Sequence, residues 1–176
     1  SNEIEQRWKV NPGSLEHLDD LDNLNMGKPE TLTDFIKWGM ESYPADRFVL
    51  ILWNHGAGAI DGFGADENHD NDTITLTEIE KALKRAKLPK KFEIIGFDTC
   101  LMATLETAHV LHPYAEYMVA SEELEPAHGW NYTSFLKPLM KKPSMLGPEL
   151  GKLIIDGYRA QATDEGNQDM ITLSLI

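Results

Sequence analysis

The sequence is poor in the features that would assign it at a glance. It has one cysteine, Cys100, in 176 residues. That excludes an internal disulfide framework and a thiolate zinc cluster, and leaves the redox compartment open. No apolar run approaches the ~18 to 20 residues of a membrane span, and the first ten residues, SNEIEQRWKV, lack the apolar segment of a signal peptide. Cations are scarce: 16 Lys and Arg stand against 29 Asp and Glu, a net charge of -13. That balance opposes unaided binding to nucleic acid or an anionic membrane and suits cationic ligands. Neither a G-x-S-x-G elbow nor a G-x-x-x-x-G-K-[ST] phosphate loop occurs. No repeat or low-complexity linker divides the chain, so a 41% hydrophobic content is read as one domain over residues 1–176.

What is present is an alternation. Apolar runs bounded by turn signals at 47–54, 92–97, 116–121 and the C-terminal DMITLSLI read as buried strands. Helical spacing occupies 33–43, 77–87, 101–111 and 146–160. The second helix opens on a capping-box pattern, Thr77 to Glu80, and the third is stopped by Pro113. Strand and helix in turn predict a mostly parallel sheet covered by helices. Residues 1–30 read as polar and loop-like, and the sheet as an incomplete piece of a larger domain.

Two strand ends carry reactive groups. RFVLILW delivers Asn54 and His55, followed by Gly56; FEIIGFD delivers Asp98 and Cys100, with the predicted 101–111 helix starting directly after. In parallel sheets ligands bind outside the carboxyl ends of strands. If these strands are neighbours, His55 and Cys100 share one edge and form a thiol–imidazole pair, the thiolate attacking a carbonyl and the imidazole moving the proton. A helix N-terminus and an imidazolium both favour a thiolate. The Gly56 and Cys100 amides are the natural oxyanion donors. The bland alternative is an inert core thiol and a packed histidine.

Four motifs sharpen this reading: NMGKPETLTDFIKW, VLILWNHGAG, IIGFDTCLMATLE and YMVASEELEPAHGWNY, in that order. Together they resemble the clostripain family of cysteine peptidases, of the caspase-like clan, from about Asn25 to Ile176. The resemblance implies a caspase-like three-layer α/β/α sandwich, and hydrolysis of peptide bonds after Arg or Lys by a Cys100/His55 dyad. It places Asp98 at the base of the pocket for the basic side chain, where a carboxylate would meet a guanidinium. The competing role for Asp98 is N-cap of the 101–111 helix. The family also implies a secreted or cell-envelope location, and further structure from the remainder of the polypeptide. Relatives often cut themselves after a basic residue between the histidine and cysteine strands; here no Lys or Arg occurs from Phe48 through Glu80.

Other motifs compete weakly. GAGAIDG has one residue too many for a dinucleotide loop. The acidic stretch DGFGADENHDNDT fits an EF-hand poorly, but Asp66, Asp70 and Asp72 could form a looser calcium site; no cofactor is needed for the chemistry itself. His128 rivals His55 as base, and Glu122 and Trp130 are candidate substrate-pocket residues. A non-catalytic domain that binds a basic peptide or partner chain, and a calcium-binding structural module, are the alternatives to an enzyme.

Overall fold

A computed structural model describes residues 4–167 and 172–176. Its centre is a four-stranded sheet ordered β3 (Val49–Trp53), β6 (Phe92–Asp98), β7 (Ala115–Ser121) and β8 (Leu173–Leu175). The first three are parallel, and β8 runs antiparallel to β7. Residues 169–171 of the predicted last strand lie outside the described residues.

Alternation along these strands sorts side chains into two cores. Leu50, Ile95, Phe97, Met118 and Ala120 face a cluster with Ile36, Ile79, Leu83 and Leu111. These come from helices α1 (Pro29–Ser42), α3 (Leu76–Ala86) and α4 (Leu105–Leu111). Ile94 and Val119 face the other way, against Trp130, Phe135, Leu150, Ile154 and Tyr158. Phe135 belongs to α5 (Tyr132–Lys141), and the last three to α6 (Gly147–Asp164). Helices therefore cover both faces, as the alternation requires, and give the three-layer α/β/α sandwich.

The remaining elements depart from the sequence reading. Residues 1–30 are not simply loop: β1 (Gln6–Asn11) and β2 (Ser14–Asp20) form an antiparallel hairpin. Pro12 and Gly13 make its turn, with Gly13 at φ +79°. The acidic stretch holds a one-turn helix α2 (Gly58–Asp61), then a hairpin of β4 (Phe63–Asp66) and β5 (Asp72–Ile74). The capping box sits two residues earlier than predicted. Thr75 Oγ1 accepts the Glu78 N–H at 3.3 Å and Glu78 Oε2 accepts the Thr75 N–H at 3.0 Å. TLTEIE contains the T-x-x-E spacing twice, and burial of Leu76 selects the first.

Candidate active site

The site follows from the register of two parallel strands. Trp53 pairs with Asp98 as the last residue of each, so the chain leaves β3 at Asn54 and β6 at Thr99 side by side, about 5 Å apart. His55 is exposed at the first exit. Its N–H donates to Asn54 Oδ1 at 2.6 Å and its carbonyl accepts the Gly64 N–H at 2.8 Å. The latter bond and that from the Ala57 N–H to Gly62 O at 2.9 Å tie the loop to the start of β4, and neither uses the Gly56 N–H. Gly56 packs on the second exit: a Cβ there would overlap the Cys100 carbonyl oxygen and Thr99 Oγ1.

Cys100 is half-buried. The predicted helix does not start beside it. Leu101 takes φ +62°, Thr104 Oγ1 caps α4 by accepting the Thr107 N–H at 3.1 Å, and the helix begins at Leu105. The intervening amides bond sideways instead, Leu101 N–H to Glu123 O at 3.1 Å and Ala103 N–H to Ser121 O at 2.9 Å. Cys100 therefore lies on a loop braced by the exit of β7, not on a helix N-terminus, and the Glu125 N–H donates to its sulfur at 3.2 Å.

Asp98 is not a helix N-cap, since Thr104 fills that position. Its carboxylate is 2% exposed and accepts the Trp130 N–H at 3.1 Å on both oxygens, with the Tyr132 hydroxyl 2.9 Å from Oδ2. Burial pushes this carboxyl above the usual carboxylate range, and the hydrogen bonds of Trp130 and Tyr132 offset part of that rise. Trp130 reaches Asp98 because β6 carries Gly96, where a Cβ would stand 2.9 Å from the indole ring.

A single cleft of about 460 Å³ is lined by His55, Asp98, Thr99, Cys100 and Glu125, with Trp53, Asn54 and Glu67 at its walls. His55, Cys100 and Asp98, proposed from separate motifs, thus meet in one space. A thiol, an imidazole and a buried carboxyl around a cleft of this size can attack a carbonyl and hold a cation beside it. Glu122 and Trp130 do not line the cleft; Glu122 is exposed beyond β7, and Trp130 is buried in the second core. His128 turns away, with Nδ1 2.7 Å from the Gly129 carbonyl and Nε2 3.2 Å from Glu165 Oε2.

The model of the clostripain family matches residues 13–176. The chain belongs to the clostripain family. It is similar to clostripain of Hathewaya histolytica, with 32% identity over 126 residues, 61% of this chain and 23% of that protein. A secreted C11 cysteine protease from Bacteroides thetaiotaomicron, solved with an irreversible peptide inhibitor, superposes with a TM-score of 0.74 at 20% identity, over 91% of this chain and 45% of that one. An inactive zymogen C11 protease from Parabacteroides distasonis gives 0.68 at 24% identity, over 92% and 45%. At such identity the structural likeness establishes the caspase-like fold. The chain spans less than half the length of each of these relatives.

Within this clostripain-family chain the acidic hairpin is occupied by its own contacts. Asp66 accepts the Met26 N–H at 2.7 Å, the Asn68 N–H at 3.0 Å and His69 Nδ1 at 3.0 Å. Burial pushes the Asp66 carboxyl up, but those bonds outweigh it and hold it below its usual range. Asp72 pairs with Lys28 Nζ at 2.5 Å and accepts from Asn25 Nδ2 at 2.8 Å, while Asp70 sits in the turn at φ +56°. Among the described residues no group of three His, Cys, Asp or Glu is arranged to hold a metal.

Two residues of the clostripain-family site escaped sequence reasoning. Glu125 lines the cleft and Tyr132 bonds Asp98. Both lie in the segment that follows β7, the third strand to end on this edge, and that position was the available signal.

Proposed function

We propose that this chain carries the catalytic cleft of a cysteine endopeptidase that cuts peptide bonds after Arg or Lys. Cys100 is the nucleophile: its sulfur attacks the scissile carbonyl carbon, and the negative charge passes to the carbonyl oxygen. The Gly56 and Cys100 amides receive that oxyanion. His55 takes the thiol proton and returns it to the leaving amine, which departs and leaves a thioester on Cys100. Water, deprotonated by His55, then releases the acid product. Asp98 binds the cationic side chain on the amino side of the cut, where burial strengthens the ionic contact.

The observation that carries this reading is the shared cleft of His55, Asp98 and Cys100. Its substrate would be a peptide or protein with Arg or Lys at the cleaved bond. The remainder of the polypeptide is expected to complete the sheet.

The test is covalent labelling. An arginyl chloromethyl ketone should go onto Cys100 to one equivalent and His55→Ala should slow it, whereas a norleucyl analogue should react far more slowly. Cys100 alkylation no faster than that of free cysteine would reject the catalytic reading and leave a domain that only binds basic peptides. Equal rates for the arginyl and norleucyl reagents would reject the preference for cations.

A further inference from the structure

The proposed chemistry leaves one acidic side chain of the cleft unused. Glu125 lines the same space as Asp98, Cys100 and His55. Its main-chain N–H is the donor to the Cys100 sulfur, so the side chain starts within one residue of the nucleophile. Glu125 Oε1 faces the indole N–H of Trp130 at 3.4 Å, whereas Oε2 is buried with no N–H or hydroxyl donor directed at it. Trp130 therefore holds both acids, its main chain on Asp98 and its ring on Glu125. The two carboxyl groups thus share one cleft and one anchoring residue.

Ionised carboxylates are acceptors only, so two of them are joined by a hydrogen bond only when one keeps a proton. Among the described residues, each Lys and Arg engaged in an ion pair has its partner elsewhere, and none pairs with Asp98 or Glu125. Asp98 is buried, Glu125 is half-buried with one oxygen left without a donor, and both open onto the cleft.

We propose that Glu125 is a second specificity-determining carboxyl, and that it and Asp98 share one proton in the empty cleft and release it to solvent when a guanidinium or ammonium group enters. This rests on the reading of the cleft as a pocket for a basic side chain, and says how that pocket tolerates two acids while empty.

The surroundings agree. Asp98 faces Glu125 from β6, Cys100 and His55 from the two strand exits, and Glu67 from the turn after β4. Tyr132 approaches from α5 and Tyr158 from α6, with the His128–Glu165 pair behind them. Burial first, and then the charge of Asp98, push the Glu125 carboxyl up to about 8. The same two acids, added to burial, push the Tyr132 and Tyr158 hydroxyls above their usual range, so both phenols stay neutral. At neutral pH the empty pair thus carries one negative charge, and a cation meets two once the proton has gone. A neutral side chain drives no such exchange, so the proton stays and the pocket offers it a half-neutralised acid. Proton and substrate cation compete for one place, and affinity for the cation rises about tenfold per pH unit until the pair has lost its proton.

Calorimetric titration of the chain with benzamidine, an amidinium probe, tests this. At pH 7 the heats in phosphate and Tris, which differ in ionisation enthalpy, should report close to one proton released per probe bound. The Kd should fall about tenfold from pH 6 to pH 7. Glu125→Gln should bind about tenfold or more weakly, release no proton and show a flat Kd over that range. His55→Gln, which removes the imidazole of the cleft, should leave the proton count unchanged. Binding by the unaltered chain without proton release overturns the proposal, as does a Glu125→Gln variant that still releases one. Failure of benzamidine to bind, or an Asp98→Asn variant that binds it as tightly, overturns the cation-pocket reading itself. Should Glu125→Gln fail to fold, the two-buffer comparison on the unaltered chain decides alone.

Discussion

Gly56 presses its α-carbon against the carbonyl of Cys100. The histidine and cysteine loops touch there through the Cys100 main chain and the Thr99 hydroxyl, and nothing larger than hydrogen fits between them. Gly56→Ala should force the loops apart and destabilise the fold by about 3 kcal/mol or more, lowering Tm by roughly 10 °C. A thermal melt of the variant measures this. An unchanged Tm would mean that the loops move apart freely.

Replacing Asp98 by Asn keeps the shape and removes the charge. Under the proposed function, kcat/KM for Arg and Lys substrates should fall on the order of a hundredfold or more, with substrates bearing a neutral side chain much less affected. Equal losses across both classes would make Asp98 a structural residue that serves Trp130 and Tyr132.

Stability should carry the signature of Glu125. The unfolded side chain ionises near 4.5, and the folded one keeps its proton to about 8. Between those values the native state binds more protons, so rising pH favours unfolding. The contribution is complete below the lower value and lost as pH climbs through the upper one, with a slope of at most about 1.4 kcal/mol per pH unit. Urea unfolding of the unaltered chain and Glu125→Gln across this range should give curves that diverge toward acid, the unaltered chain gaining. Parallel curves would show that the carboxyl is solvated.

The acidic hairpin gives a contrasting expectation. Asp66 and Asp72 are already engaged, by main-chain donors and His69 in the first case and by Lys28 and Asn25 in the second. Asp66→Ala should therefore cost about 2 kcal/mol by leaving the Met26 and Asn68 amides unpaired. Millimolar calcium should leave Tm where EDTA leaves it. A calcium-dependent rise would require Lys28 to release Asp72.

The central strands were legible because burial on both faces demands continuous apolar runs, and β3, β6 and β7 consist of little else. The start of α4 was not. Leu101, Met102 and Ala103 have helical spacing, but main-chain partners on Ser121 and Glu123 hold two of those residues in another conformation. Such partners are distant in sequence, so local pattern cannot reveal them. The β1–β2 hairpin was hidden for the opposite reason: every residue of β2 is exposed, so no alternation marks it. Helix α5 is masked by its internal Pro138. His55, Cys100 and Asp98 could be nominated because each falls at or beside a strand end. Glu125 also follows a strand end, that of β7, but four residues on, and a residue type that is ordinarily solvated gives no local sign that it turns back into the cleft.

The bare α-carbon of Gly96 reaches further than its size suggests. By admitting the Trp130 indole onto β6, it fixes where the main-chain N–H of Trp130 points, and that N–H holds Asp98. Under the proposed function, charge preference in this cleft is thus anchored in the packing of the second core. Retuning it for another side chain would take concerted changes at the sheet face, the indole and the acid.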